Sequence, residues 1–188
     1  MATLTSFRGG TSVRFTKRFM GALALDPATF EDIEADRRAG AQAAIVVLLA
    51  CVAAGFAAVG STTMTLSTFI RGAVTALFAW VVWALAITTI GIHLLPEPET
   101  NSRPSELLRT MGFGAAPGVF YAFGVIPSAA PFAFAVASLW MVAATVLGVR
   151  QALDYRSLGR AAMVCISAWL LTFGSIVAAG LLLGRPVS

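Results

Sequence analysis

Five long runs without a single Asp, Glu, Lys or Arg dominate this sequence of 188 residues. The runs cover residues 41–60, 72–95, 111–126, 132–149 and 161–183. A helix needs about 20 mostly apolar residues to cross a ~30 Å hydrocarbon core, because each residue adds about 1.5 Å. Only 12% of the residues are charged, against about 25% in soluble domains. We therefore predict an all-α, polytopic membrane helix bundle with five transmembrane helices at these positions.

The basic residues predict how this bundle is oriented. If the N-terminus is cytoplasmic and all five runs cross, eleven of the thirteen Lys and Arg residues lie inside. Only Arg71 and Arg185 then lie outside, which is a strong positive-inside signal. A third run that enters and leaves on the same side would instead place Arg150, Arg156 and Arg160 outside, which weakens this signal. This favours five spans, with the N-terminus cytoplasmic and the C-terminus extracytoplasmic.

Residues 1–40 are predicted to form a cytoplasmic N-terminal tail ahead of a five-helix transmembrane domain over residues 41–188. In residues 13–25 apolar and basic side chains alternate, which suits an amphipathic helix on the leaflet or a flexible juxtamembrane segment. Asp26 and Pro27 are typical of an N-cap and a first helical residue. The acids that follow could bind a divalent cation. A solvated helix balanced by neighbouring arginines is favoured, because the acids fall on several faces.

The third run differs from the others in its glycines and prolines. Gly114 and Gly118 are four residues apart, a spacing that lets membrane helices approach closely. Pro117 lies between them and removes a backbone donor, so a kink there requires protein packed around the break. With Gly124 and Pro127 following, we predict a buried, bent central helix that ends in a tight external turn.

Groups that carry catalysis or bind metals are sparse. The five runs contain no Asp, Glu, Lys or Arg, whereas intramembrane enzymes and ion-coupled transporters usually carry ionisable residues there. His93 is the only histidine, so neither a serine nucleophile nor a metal has a partner set. Cys51 and Cys165 lie inside apolar runs and suit packing. The sequence predicts no catalytic, cofactor-binding or metal site, and no nucleic-acid partner.

Three polar segments remain as places where something could be recognised. They are the N-terminal region 13–40, the loop 96–109 and the segment 149–161, all cytoplasmic in the five-span arrangement. Each is short and follows or precedes an apolar run. The charges of this protein are therefore concentrated on one predicted face.

The segment 149–161 carries the proposed interaction residues. Arg150 and Asp154 are four residues apart, as are Arg156 and Arg160, so each pair would share one face of a continuous helix. Tyr155 is placed at the membrane interface. We predict a cytoplasmic interaction site at these five residues, although a positive-inside anchor would explain much of the same pattern.

Three blocks of the sequence resemble a known family. They are RFMGALALDPATFEDIEAD (18–36), ELLRTMGFGAAPGVFYAFGVIP (106–127) and VRQALDYRSLGRA (149–161). They are similar to bacterial members of the Yip-one (Ypt-interacting protein) family. The resemblance implies a five-span integral membrane protein with a cytosolic N-terminus and no enzymatic site.

Two hypotheses for function follow. The first is a non-catalytic integral membrane protein of the Yip type, multi-pass in the bacterial cytoplasmic (inner) membrane, which binds a partner or organises the membrane through its cytoplasmic loops. The lipid bilayer, another membrane or cytoplasmic protein, and a second copy of the chain are the partners considered. The alternative is a small transporter or channel for a neutral solute, with its path beside the kinked third helix.

Overall fold

Helices joined by short turns make up the described part of the chain. The computed structural model describes residues 4–60, 65–95 and 103–183, with side chains in residues 12–60, 65–95, 103–172 and 174. The described α-helices are α1 (Leu4–Leu23), α2 (Pro27–Ala35), α3 (Ala39–Gly60), α4 (Leu66–Thr89), α5 (Pro104–Gly114), α6 (Ala130–Ala152) and α7 (Leu158–Leu183). A π-helical turn, Ile90–Leu94, continues α4, and a 3₁₀ helix, Ala116–Val125, follows α5 after one residue. The first half of the predicted loop 96–109, its residues 96–102, lies outside the described residues.

Three of the described helices are long and apolar enough to cross a membrane. They are α3, α4 together with its π turn (Leu66–Leu94), and α6. The part of α7 with described side chains, Leu158–Thr172, is apolar but shorter, while its backbone stays helical to Leu183. The prediction of an all-α chain with membrane helices is therefore confirmed, and the count of five spans stays a prediction.

The third apolar run is not one bent α-helix. Helix α5 ends at Gly114, and the chain continues as a 3₁₀ helix from Ala116. The transition is marked by hydrogen bonds three residues apart, from Ala115 N to Gly112 O (3.3 Å) and from Gly118 N to Ala115 O (2.9 Å). Pro117 has no amide hydrogen and stands in the first turn of the 3₁₀ helix, where none is needed. We call α5 and this 3₁₀ helix together the third segment.

The third segment runs beside α3 over the full length of that helix. Near the start of α3, a Cβ atom on Gly40 would lie 3.8 Å from Arg109 Cγ. Near its end, a Cβ atom on Gly60 would lie 2.6 Å from the Cα of Val125. The third segment and α3 therefore travel in the same direction from one end of the bundle to the other.

The outer faces of the bundle are apolar. On α4 the side chains of Ile70, Val74, Phe78 and Leu85 are exposed, at intervals that place them on one side of the helix. In water such a surface would be unfavourable, whereas in a bilayer acyl chains cover it. The opposite side of α4 packs with α6 and α7 around Ile87. One face of this helix therefore contacts protein, and the other is suited to contact lipid.

The two N-terminal helices pack onto the bundle. Phe30 and Ile33 of α2 are fully buried and share a core cluster with Phe113 and Leu147. As predicted, Asp26 caps α2, because its side chain accepts a hydrogen bond from the amide of Ala28 (3.2 Å) with Pro27 at the first position. Helix α1 begins at Leu4, earlier than the amphipathic pattern indicated. The region before residue 40 thus shares its core with the apolar helices.

The glycines of the third segment give a stability prediction. A Cβ atom on Gly114 would lie 3.0 Å from the Cα of Thr145, and backbone there cannot easily move. We expect Gly114→Ala to destabilise the fold by about 1–3 kcal/mol through overpacking between α5 and α6. Gly159→Ala is the control, because nothing lies within 4 Å of its Cβ position. The check is the thermal unfolding temperature in detergent, and equal temperatures for the two variants would contradict this packing.

Candidate functional site

The three polar segments singled out in the sequence meet at one end of the bundle. This end, called the charged end below, consists of α1, α2, the start of α5 and the turn between α6 and α7. Arg109 of α5 is buried, and its guanidinium donates a hydrogen bond to the backbone carbonyl of Glu34 at the end of α2. The charges of Asp154 in the α6–α7 turn and of Glu106 act on the carboxyl group of Glu34. The candidate interaction surface is therefore built from segments far apart in sequence.

The α6–α7 turn differs from the predicted continuous helix. Helix α6 ends at Ala152, and Asp154 adopts a left-handed conformation with φ of 52°. The amide of Asp154 bonds to Gln151 O (3.1 Å) and the amide of Tyr155 bonds to Arg150 O (3.0 Å). This is a Schellman ending, in which a short polar residue tolerates the left-handed position.

Because the helix stops here, neither predicted pair shares a helix face. Asp154 lies beyond the end of α6, and Arg156 lies before the start of α7 at Leu158. Asp154 and Arg156 are exposed, while Arg150 and Arg160 are partly buried. Of the five predicted interaction residues, these four contribute charge at the turn.

Tyr155 is not available at the surface, contrary to its predicted place in an interaction site. Its side chain is buried, and its hydroxyl lies 2.8 Å from the carbonyl oxygen of Leu95 and 3.2 Å from that of Gly91. These carbonyls belong to the π turn and its cap, where the regular α-helical hydrogen bonding is interrupted. The guanidinium of Arg160 covers the ring at 5.7 Å from its centroid. Tyr155 therefore holds the α6–α7 turn onto the end of α4.

A buried arginine, which the sequence analysis missed, joins α1, α2 and α3. Arg18 donates from Nε to Asp32 (2.8 Å), from Nη2 to Asp36 (2.8 Å) and from Nη1 to Gln42 (2.9 Å). Burial would lower the pKa of Arg18, but its bonds to the two carboxylates raise it. The hydrogen bond from Arg18 also stabilises the ionised carboxylate of Asp36 and lowers its pKa. The acids of α2 are thus balanced from α1, and not only by the arginines that follow them.

The third segment contacts α3 through its small residues. A Cβ atom on Gly118 would lie 2.8 Å from Ala50 Cβ, and one on Gly124 would lie 2.8 Å from Ala57 Cβ. Ala115 to Gly118, including Pro117, are buried at the change of helix type, and Pro127 is exposed in the turn before α6. Gly118 and Gly124 therefore serve packing between the third segment and α3, and none of the residues named here carries a group able to do chemistry.

An apolar cavity of about 510 Å³ lies beside the third segment. Its wall comes from α3, α4, α6, α7 and the 3₁₀ helix, and is formed by Val47, Ala50, Cys51, Ala54, Ala57, Ala76, Ala79, Trp80, Trp83, Ala115, Tyr121, Phe134, Ser138, Met141, Val142, Trp169 and Thr172. The hydroxyl groups of Tyr121 and Ser138 lie 2.9 Å apart and satisfy each other. The cavity therefore offers almost no polar contact to a solute.

The groups with potential for chemistry are scattered. Among the described residues, no cluster of three or more His, Cys, Asp or Glu side chains could hold a metal ion. Cys51 and Cys165 are both buried free thiols on different helices. His93 lies in the π turn after α4. What the described residues offer is a charged surface and an apolar interior.

Glu34 gives the charged end a dependence on pH. Burial first, and then the charges of Asp154 and Glu106, raise the pKa of its carboxyl group to about 7, while Arg109 opposes the shift. Glu31 adds a further like charge. Since the folded pKa lies above the unfolded value, the folded state holds its proton more tightly, and stability falls as pH rises through the window from about 4.5 to about 7.

We therefore expect the unfolding temperature in detergent to decrease between about pH 5 and about pH 8. In Glu34→Gln that part of the decrease should disappear, because the neutral amide does not titrate. Glu31→Gln, at an exposed position on the same helix, is the matched control and should keep most of the wild-type decrease, because the charge of Glu31 contributes least to the raised pKa of Glu34. A profile that is the same for Glu34→Gln and the wild type would contradict the assignment.

Comparison with known proteins adds one match. A family model described as the Yip1 domain matches residues 20–179 of this chain. No curated protein and no solved structure matches it significantly. The match, together with the apolar helices, identifies an integral membrane protein from a family that is generally non-enzymatic.

Proposed function

This chain belongs to the Yip1 domain family, and from that premise we propose that it is a five-span, non-catalytic protein of the bacterial inner membrane. In this proposal the charged end faces the cytoplasm and binds a partner protein there. The observation that carries the proposal is the convergence of three separate polar segments on one surface, joined by the bond from Arg109 to Glu34. A surface assembled in this way presents a fixed pattern of charges, which is what specific recognition requires.

The geometry of the third segment supports five crossings. Its α5 part contributes roughly 16 Å at 1.5 Å per residue, and its 3₁₀ part roughly 20 Å at 2.0 Å per residue. The charged start of α5 lies outside the hydrocarbon core, and the apolar residues from Met111 onward still come to roughly 28 Å, close to the thickness of a ~30 Å core. Arg109 of this segment lies beside Gly40 and Val125 lies beside Gly60, so the segment accompanies α3 from end to end. This favours a crossing over a segment that enters and returns on the same side.

Reporter fusions test this topology. A periplasm-active phosphatase fused after Ser188 should be active, and a fluorescent protein that folds only in the cytoplasm should be dark there. Fusions after Ser157, in the α6–α7 turn, are the control and should give the reverse result. A fluorescent fusion after Ser188 would overturn the five-span arrangement and leave the family assignment intact.

Crosslinking in cells tests partner binding. A photoreactive amino acid belongs at position 156, where the side chain is exposed, and not at the buried Tyr155. We expect one reproducible protein adduct. A triple variant that combines Arg150→Ala, Asp154→Asn and Arg156→Ala should lose this adduct; in that comparison the probe is placed at Ser157. Asn suits the left-handed backbone at position 154, so the fold should be kept.

The control for this experiment is Arg71→Ala, which removes a charge from an exposed residue near the opposite end. It should leave the adduct in place, and all variants should reach the membrane in equal amount. An unchanged set of adducts in the triple variant would count against partner binding at the α6–α7 turn.

A small transporter for a neutral solute is the second candidate. The observation behind it is the cavity of about 510 Å³ beside the third segment. Its wall is almost entirely apolar, and the hydroxyl groups of Tyr121 and Ser138 are already hydrogen-bonded to each other. A polar solute would therefore find few hydrogen-bond partners to replace those it loses in water. Proteoliposomes that pass neutral solutes no faster than empty liposomes would remove this candidate.

A further inference from the structure

A charged crevice lies between α1 and the start of α2. It has a volume of about 400 Å³ and is lined by Arg14, Lys17, Arg18, Asp26, Ala28, Thr29, Asp32 and Asp36. Three cationic side chains from α1 face three carboxylates from the α1–α2 turn, α2 and its C-cap. Such a site carries both signs of charge in a small volume and has no net charge of its own.

Arg18 forms the inner wall of this crevice and is already satisfied. All three of its nitrogen groups donate to oxygen atoms of Asp32, Asp36 and Gln42. The remaining cations differ from it: Arg14 and Lys17 are exposed, and no ion pair joins either of them to a carboxylate within the described part of the chain. They stand at the mouth and can bind an anionic group of a ligand.

The opposite wall can receive a cationic group. The side chain of Asp32 is 65% exposed although it binds Arg18. The carboxylate of Asp26 accepts hydrogen bonds from the amide of Ala28 and the hydroxyl of Thr29. Each carboxylate has further acceptor positions, since an ionised carboxyl group offers about four.

The same face of α1 also exposes apolar side chains. Val13 is 69% and Met20 is 57% exposed, and with Lys17 they are spaced four and three residues apart. This spacing places all three on one stripe of the helix. A ligand that fits this surface has both a charged part and a long apolar part.

The crevice lies beside a helix that can cross the membrane. The indole nitrogen of Trp140 on α6 donates to the carbonyl oxygen of Leu23, just before the α1–α2 turn (2.9 Å). Trp140 precedes the end of α6 at Ala152 by twelve residues, which is roughly 18 Å along the helix. The turn and its charged groups therefore lie against the side of a helix that can cross the membrane, and a lipid beside that helix can place its headgroup in the crevice.

We propose that this crevice binds the headgroup of a zwitterionic phospholipid that carries a primary ammonium group, as in phosphatidylethanolamine. The phosphate contacts Arg14 and Lys17, the ammonium contacts Asp26 and Asp32, and the acyl chains cover Val13 and Met20. An anionic lipid leaves the carboxylates without a cation, and a choline headgroup cannot donate hydrogen bonds to them. This binding goes beyond recognition of a protein partner and does not depend on it.

Native mass spectrometry of the purified full chain tests the proposal. The protein is equilibrated in mixed micelles that contain equal amounts of phosphatidylethanolamine, phosphatidylglycerol and phosphatidylcholine, and the retained lipids are counted. We expect selective retention of phosphatidylethanolamine. Arg14→Ala combined with Lys17→Ala should reduce it at least tenfold, a loss of about 1.4 kcal/mol, because both contacts to the phosphate are removed.

Two further variants make the outcome specific. Arg37→Ala with Arg38→Ala removes the same charge from exposed residues outside the crevice, and retention should be unchanged. Asp26→Asn keeps the helix cap, because Asn caps as well as Asp, but removes the partner of the ammonium. It should therefore shift the preference from phosphatidylethanolamine to phosphatidylglycerol.

Three results would overturn the proposal. One is equal retention of the three lipids by the wild-type protein. Another is a preference of the wild-type protein for phosphatidylglycerol, which would indicate a basic surface that binds anionic lipids. The third is an equal loss in the Arg37 and Arg38 control, which would indicate an effect of net charge alone. Unfolding temperatures of all variants verify that the fold is retained.

Discussion

The interior of a bilayer offers no water to the backbone, and this constraint governs the structure. Every amide and carbonyl at that depth needs a partner within the protein. Within the described parts of the apolar runs, the chain nevertheless changes from α-helix to another helix type at Ala115 and over Ile90–Leu94. In both places a neighbouring part of the protein contacts the backbone. The 3₁₀ helix starts among buried residues, and its backbone forms hydrogen bonds three residues apart from its first turn. At the end of α4, the hydroxyl of Tyr155 donates to the backbone carbonyls. Irregular backbone is tolerated because a neighbouring element meets its hydrogen-bonding needs.

The small residues follow from the same constraint. Burying apolar surface gives no gain between helices in lipid, so contact depends on close packing. The third segment lies against α3 through glycines that face alanines, and α5 approaches α6 at Gly114 and Thr145. A 3₁₀ helix has poorer hydrogen-bond geometry than an α-helix and is uncommon beyond three or four residues. Ten residues of it persist here beside α3, where the close contact is possible only because the side chains are small.

Much of the fold could be predicted from the sequence, because a membrane helix is specified by a local property. An uncharged run of sufficient length marks α3, α4 and α6, and Asp26 followed by Pro27 marks the start of α2. The change to 3₁₀ helix could not be predicted, since apolar runs have no periodicity that separates the two forms. The buried position of Tyr155 was missed for another reason. Spacing of four residues implies a shared face only if the helix continues, and here it ends at Ala152.

The partners of Arg18 could not be predicted from local sequence patterns, because they lie on other helices. The position of Arg18 in α1 nevertheless carries a signal that it is buried. It is spaced three or four residues from Phe15, Ala22 and their neighbours, which places an arginine on the apolar face of α1. A charge on that face requires buried partners, and here they come from α2 and α3, between fourteen and twenty-four residues away. Because Arg18 consumes its hydrogen bonds in fixing α1 to α2 and α3, the cations that remain for a ligand are those at the surface. The network that orders the N-terminal helices thereby also decides which charges they present to the membrane.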